Sequence, residues 1–411
     1  MDFQIHYTDD QERFRIEVRS WLEENIPASM RLPVDPADPT EEQWQFWRGM
    51  HRKLGAKGWL HPTYPKEYGG GGLSGEHETI ILEEFQRADV ARGGNSLSLP
   101  PLLVWGTEEQ KQKFLVPLLK GEMITWEKLT EPHSGADLAS YQSRAVRDGD
   151  SWILNGSAVF PGGHETEPSW YYGPMLTDPQ APRHRNLGFF MIPYPAPGMS
   201  VQWMNLVHGQ DKFNRKAFLF MDDVRVPADH LIGGDHSGWQ VVNTTLEQEH
   251  GGRGRAFFRD EIAVSIVDYL HQKRGLGKHP GGDPVLQQSA VDVFIDAHLD
   301  ELFGMRTYSM YMNRQEMSWE GAMNALFARN HRLRNAATAR DVMQMYAMLG
   351  THDPLTPHGG VQEVFQRTSF QAQHGAGSRN IAKVVLARRI GISRTKERPA
   401  PTPATATKYT V

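Results

Sequence analysis

The 411-residue sequence contains no cysteine. That absence excludes disulfides, thiolate metal sites and a cysteine nucleophile, and it leaves the compartment open. No run approaches the ~18 consecutive apolar residues that read as a bilayer span. The formal charge of −5 gives no global electrostatic case for nucleic acid or an anionic membrane. The opening residues Met1-Asp2-Phe3-Gln4-Ile5-His6 lack the basic and then apolar regions of a signal peptide, so cytoplasm is the expectation by default. No internal repeat stands out. What is present is an ordinary globular balance, 39% hydrophobic and 23% charged, in a chain long enough for two or three domains.

Along the chain, residues 1–121 read as helices. Arg13, Val18, Trp21 and Leu22 mark an amphipathic segment, and a Pro-rich stretch from Pro27 to Pro39 ends it. Thr40-Glu41-Glu42 reads as a helix start, with acids in the first turn, and Thr107 before Glu109 and Gln110 reads as another. Gly69 to Gly72 reads as a loop. Residues 122–236 change to short strands between turns: Leu187–Pro193 is an apolar run, and Phe218–Pro227 alternates and ends in a proline. From Gly238 the period is helical again to residue 394, broken at Pro280–Asp283, with long amphipathic segments over Val285–Met312 and Ala322–Leu349. Residues 395–411 are too poor in apolar side chains to fold and read as a mobile tail.

The most specific stretch begins at Leu129-Thr130-Glu131-Pro132 and continues through His133-Ser134-Gly135-Ala136-Asp137. Pro132 fixes its own backbone and Gly135 permits conformations that other residues resist, so the segment predicts a polar turn able to aim N–H groups and hydroxyls at a ligand. Ala145-Val146, Asp148-Gly149-Asp150 and Trp152-Ile153-Leu154 then read as a β-hairpin. By its residues alone this is either a ligand-binding turn or a structural hairpin.

The wording of these strings resembles the flavin-binding segment of the acyl-CoA dehydrogenase family. Three further strings share the resemblance: Pro65-Lys66-Glu67-Tyr68-Gly69-Gly70-Gly71-Gly72-Leu73, Gly106-Thr107-Glu108-Glu109-Gln110-Lys111 and Asp222-Asp223-Val224-Arg225-Val226-Pro227. The resemblance covers roughly residues 10–394. It implies an α+β fold: an N-terminal helical domain (1–121), a middle β-barrel or sandwich (122–236) and a C-terminal four-helix bundle (237–394).

The resemblance also implies an activity. Family members use FAD to oxidise an acyl-CoA thioester at Cα–Cβ, with a carboxylate as base for the α-proton and flavin N5 accepting the β-hydride. One family position for that base, just before the last helix, holds no acid here, since Arg367 to Arg379 contains only His374 and arginines as titratable groups. The other lies on the helix after the β-domain, where aligning Gly238-Trp239 and Leu246 puts Glu249 on the catalytic position. The nearby Gly251, Gly252 and Gly254 would each cost about 1 kcal/mol relative to Ala in a helix, which suits close approach of a ligand. The neighbouring Glu247, Glu249 and His250 lack the ligand spacing of a metal site.

For the flavin, Thr130 matches the family's ring-binding hydroxyl, Leu129 precedes it, and Ser134 stands near a family serine whose own position is Ala136. The family's Trp-Ile-Thr is replaced by Phe160-Pro161-Gly162, so an aromatic survives while the threonine that bonds flavin N5 does not. Arg274 and Gln344 are what remain of the strings that hold the flavin pyrophosphate from a neighbouring subunit. The implied partners are an acyl-CoA substrate, an electron-transfer flavoprotein and a homo- or heterotetramer. Two alternatives stay open: a companion subunit of a heteromeric dehydrogenase, and a flavoenzyme with changed chemistry, an oxidase or desulfinase-like.

Overall fold

The computed structural model describes residues 7–31, 33–35, 38–88, 90, 93, 97–162, 168–207, 216–250, 260–272, 280–313, 315, 318–371, 373, 375 and 377–393, with backbone only at 247–250, 312 and 371. The described residues form two compact units. One draws on Tyr7–Leu32 and Pro36–Glu249, the other on Pro33–Asp35 and His250–Glu397.

The first unit opens with helices whose starts are set by local chemistry. Thr8 caps α1 (Asp9–Asn25) and Thr40 caps α2 (Glu41–Ala56), each in a capping box with a glutamine three residues on. Val18 and Leu22 of α1, Trp47 and Leu54 of α2, and Ile81 and Phe85 of α3 (Gly75–Arg87) share one apolar core. Next come α4 (Leu99–Trp105) and α5 (Glu108–Gln110), the latter capped by Thr107. A π-helical turn over Lys111–Leu115 leads into α6 (Val116–Leu119).

Eight strands follow: β1 (Thr125–Glu127), β2 (Arg144–Asp148), β3 (Ser151–Val159), β4 (Trp170–Leu176), β5 (Leu187–Pro193), β6 (Met199–Met204), β7 (Lys216–Pro227) and β8 (Leu231–Ile232). They hydrogen-bond into one mixed sheet of order β6-β7-β3-β2-β4-β5-β8, with β1 parallel to β4. The predicted hairpin is β2–β3, closed by Gly149-Asp150 with Gly149 at φ 58°. The run Leu187–Pro193 is apolar without alternation because β5 is buried on both faces: Leu187, Phe189, Phe190, Met191 and Ile192 are all fully buried. Helix α7 (Gly238–His250) sits on the same unit, with Val241 and Val242 in a core shared with Leu102, Phe114, Phe189 and Ile232.

The second unit is helical: α8 (Glu261–His271), α9 (Pro284–Met312), α10 (Glu320–Met343), α11 (Val361–Gln371) and α12 (Arg379–Arg389). Ile266, Tyr269, Val293, Ala339, Val342 and Met343 form its core. The helix expected over Ala322–Leu349 ends early, at Met343, because Gln344 turns to φ 51° and a 3₁₀ turn, Gln344–Met348, takes over. The tail expected over 395–411 lies outside the described residues. Among the described residues no helix is long and apolar enough to cross a membrane.

Candidate functional site

The sequence strings that look independent along the chain meet pairwise in the first unit. Tyr68 of the glycine-rich loop donates its hydroxyl to Glu108 Oε2 at 2.9 Å. Gln110 Nε2, from the string that contains Glu108, donates to the carbonyls of Asp229 and Leu231 at 2.8 Å each. Those carbonyls follow Val226-Pro227 at the end of β7. Asn155 in turn exchanges two hydrogen bonds with Asp223, donating from Nδ2 to the carboxylate and accepting from the Asp223 N–H, both at 2.9 Å. Asp223 adopts φ 50°, and Gly156 next to Asn155 marks a register shift between β3 and β7. The strings are thus joined to one another by hydrogen bonds between residues far apart in the chain.

Within that frame the turn 129–137 is held from below by ionisable groups. Glu131 is buried, and its carboxylate accepts the backbone N–H groups of Gln142 at 2.7 Å and Ser143 at 3.1 Å. Lys128 is fully buried, 3.5 Å from Glu131 and donating to the Pro174 carbonyl at 3.1 Å. Burial pulls the Lys128 ammonium down from its ordinary range, against the opposing charge of Glu131. Tyr141 donates its hydroxyl to the Leu129 carbonyl, and burial pushes that phenol well up. Leu129 is buried, Thr130 is half-buried, and the Thr130 carbonyl accepts Val159 N–H at 2.8 Å. The Thr130 hydroxyl has no hydrogen-bond partner among the described residues, which leaves it for a ligand.

Two side features of the turn follow from the structure. Ser134 is buried and spends its hydroxyl on the Asp137 carbonyl at 2.7 Å, so this side chain shapes the turn. Gly135 does not have a positive φ, and a Cβ there would meet nothing within 4 Å, so the chain itself does not require glycine at that point.

Phe160 stands beside the turn. Its ring is 50% exposed and its backbone sits at φ 68°, a conformation that costs a non-glycine residue about 1–3 kcal/mol. The strained backbone is clamped to the start of β7: Phe160 N–H donates to the Ala217 carbonyl at 2.8 Å, and Ala217 N–H to the Pro161 carbonyl at 3.0 Å. One residue earlier in β7, Lys216 Nζ donates to the Gly162 carbonyl at 2.7 Å. Glu127, at the end of β1, is the opposing charge that acts on Lys216. Burial raises the Glu127 carboxyl and lowers the Lys216 ammonium, each against the pull of the other. One Glu127 oxygen, Oε2, is shut off from solvent and has no hydrogen-bond partner. The sequence does not single out Glu127, Lys128 and Lys216; the available signal was ionisable residues at or beside strand ends whose neighbours, such as Trp126 and Ala217, are buried.

The remaining expected residues fall elsewhere. Glu249 lies near the end of α7, which Trp105 anchors by donating Nε1–H to Thr244 Oγ1 at 2.9 Å, and the Glu249 side chain lies outside the described residues. Arg274 and His374 also lie outside them. Gln344 belongs to the second unit, where it is exposed at the end of α10. Leu129, Thr130 and Phe160 are therefore the sequence-predicted ligand residues that the structure brings together. Among the described residues no group of three or more His, Cys, Asp and Glu could hold a metal ion.

The model of the acyl-CoA dehydrogenase N-terminal domain matches residues 8–122. Acyl-CoA dehydrogenase FadE29 of Mycobacterium tuberculosis is 32% identical over 287 residues, covering 68% of this chain and 69% of that protein. The chain belongs to the acyl-CoA dehydrogenase family. As an acyl-CoA dehydrogenase it is an oxidoreductase of acyl-CoA thioesters, and members of this family are flavoproteins, typically carrying FAD. Two solved structures share the fold over nearly the whole chain. The Tcur3481–Tcur3483 steroid ACAD has a TM-score of 0.79 at 24% identity, covering 97% of this chain and 100% of that one. The ChsE4–ChsE5 complex of Mycobacterium tuberculosis has a TM-score of 0.78 at 22% identity, covering 95% and 100%. The residues around the turn and the start of β7 fit a flavin: an unpaired hydroxyl at Thr130, a half-exposed aromatic at Phe160 and an orphaned buried oxygen on Glu127.

Proposed function

We propose that this acyl-CoA dehydrogenase carries out FAD-dependent α,β-dehydrogenation of an acyl-CoA thioester, with Glu249 as the base. The Cα–H bond gives its proton to the Glu249 carboxylate, the Cβ–H bond gives up a hydride, and the remaining electron pair forms the Cα=Cβ bond. Bound FAD supplies the chemistry of hydride acceptance. Thr130 offers its hydroxyl to the ring system, Phe160 covers a ring face, and Leu129 and Ser134 shape the turn that presents them. What carries the reading is the position of Glu249 on α7, counted from Gly238-Trp239, on a helix fastened to the sheet's core through Val241, Val242 and Thr244. A carboxylate closed into an apolar thioester site has its pKa raised toward that of a working base.

The test is a Glu249→Gln protein. Its flavin spectrum should match the wild type, while the rate of flavin bleaching by acyl-CoA should fall on the order of 10²–10⁴-fold. Unchanged bleaching would remove Glu249 from the role. For the acyl group, the reading favours bulky chains, since solved relatives include steroid ACADs. A panel running from straight-chain to steroid side-chain thioesters decides this. Electrons then pass to an electron-transfer flavoprotein, in the cytoplasm, from a tetramer in which Arg274 and Gln344 reach a neighbour's cofactor.

A second reading, a companion subunit within a heteromeric dehydrogenase, rests on a specific observation. Gly162 and the reduced strings around Arg274 and Gln344 depart from the family pattern, and two of the solved neighbours carry paired names. Protein purified alone that is colourless, but gains flavin on co-expression with a partner subunit, would establish it.

A further inference from the structure

The family's threonine donor to flavin N5 is replaced by Gly162, which has no side chain to offer. The structure puts an ammonium at that residue. Lys216 Nζ is 2.7 Å from the Gly162 carbonyl, on the strand that also clamps Phe160. Of its three N–H donors, one is used on that carbonyl. Glu127, at the end of β1, hydrogen-bonds with Tyr172 but keeps a buried Oε2 with no partner, and its charge opposes the lowering of the Lys216 ammonium by burial. A lysine linked to a backbone carbonyl and a carboxylate with an unused buried oxygen are each costly to bury. A planar ring edge that alternates carbonyl oxygens and ring nitrogens with an N–H would satisfy both, the ammonium donating and the carboxylate accepting.

We propose that Lys216, with Glu127 as its charge partner, supplies the cofactor-binding donor that Gly162 lacks, so that both residues contact the polar edge of the flavin ring. The inference rests on the flavin reading above and adds two residues to it. An ammonium at the ring edge stabilises the electron-rich reduced cofactor over the oxidised one, and a carboxylate does the opposite. Removing each group should therefore move the flavin's reduction potential in opposite directions. A residue that merely props up the strand has no reason to produce that pair of signs.

The experiment uses full-length protein: wild type, Lys216→Met, Glu127→Gln and the double variant. Each is depleted of flavin, titrated with FAD to obtain Kd, and its bound-flavin potential measured by dye equilibration. Lys216→Met should weaken FAD binding at least tenfold and lower the potential by about 30 mV, the equivalent of a tenfold change for a two-electron couple. Glu127→Gln should raise the potential, and the double variant should return close to wild type. If Lys216→Met does not fold, Lys216→Gln, which keeps a donor without the charge, should lower the potential in its place, and Lys216→Arg, which keeps charge and donors, should hold the wild-type potential. Wild-type protein that binds flavin, with Kd and potential unmoved in the variants, overturns this inference alone. Wild-type protein that takes up no flavin, alone or co-expressed with a partner, overturns the flavin reading and this inference together.

Discussion

Glu84 shows how single residues carry the first unit. Its side chain is only 3% exposed, and it accepts from Arg19 at 2.9 and 3.0 Å, from Arg87 at 2.8 Å and from Arg15 at 3.3 Å. Burial alone would raise this carboxyl; the guanidinium groups of Arg19, Arg87 and Arg15 outweigh it and bring it down to about 2 from an ordinary 4.5. A lowered carboxylate contributes its full stabilisation above the unfolded value, and loses it as pH falls from about 4.5 through about 2. Glu84→Gln should therefore destabilise the protein at pH 7 by about 1–3 kcal/mol, with the half-exposed Arg19 and Arg87 keeping the cost moderate. Denaturant melts from pH 6 down to pH 3 should show a flatter pH dependence in the variant. An equal slope in both proteins would mean that this network does not govern acid stability.

At the scale of elements, two glycines have opposite roles. Gly71 lies in the loop read from the run Gly69 to Gly72, where a Cβ would stand 2.4 Å from the Gly58 carbonyl oxygen and 2.6 Å from that of Pro62. The loop is a packed bracket, and Gly71→Ala should cost about 1–3 kcal/mol. Gly49 lies inside α2, where a Cβ would meet nothing within 4 Å. Gly49→Ala should therefore stabilise the protein by up to about 1 kcal/mol. Thermal unfolding of the two variants side by side tests both signs. The helix starts at Thr8, Thr40 and Thr107 belong to the same scale: each capping box joins residues three apart, which is why it is legible without a fold.

At the scale of the whole molecule, α9 carries an apolar row that its own unit does not cover. Val291 is 48% exposed, Ile295 50%, Leu299 36% and Leu302 47%, at the spacing of one helix face. A row of this kind marks an interaction surface, and the proposed tetramer supplies an occupant. Ile295→Asp combined with Leu302→Asp should convert the assembly to smaller species in sedimentation at micromolar concentration, with helix content retained. A wild-type protein that sediments as a monomer would exclude that use of the face.

The sequence by itself determined the alternation of helical, strand and helical regions, the hairpin at Asp148-Gly149-Asp150 and the family. Each depends on periodicity, turn chemistry or strings of residues close in the chain. It also offered Leu129, Thr130 and Phe160 as candidate ligand residues, through the resemblance of their neighbouring strings to the family's. Only the tertiary structure decided that Ser134 turns its hydroxyl inward and that α10 stops at Met343. It alone joined Asn155 to Asp223 and Gln110 to the end of β7, across 68 and 119 residues or more. Glu127 and Lys216 act on each other's charge for the same reason. A sheet brings together charges whose separation along the chain carries no signal, and burial, which gives such a pair its chemistry, is a property of the packed sheet alone.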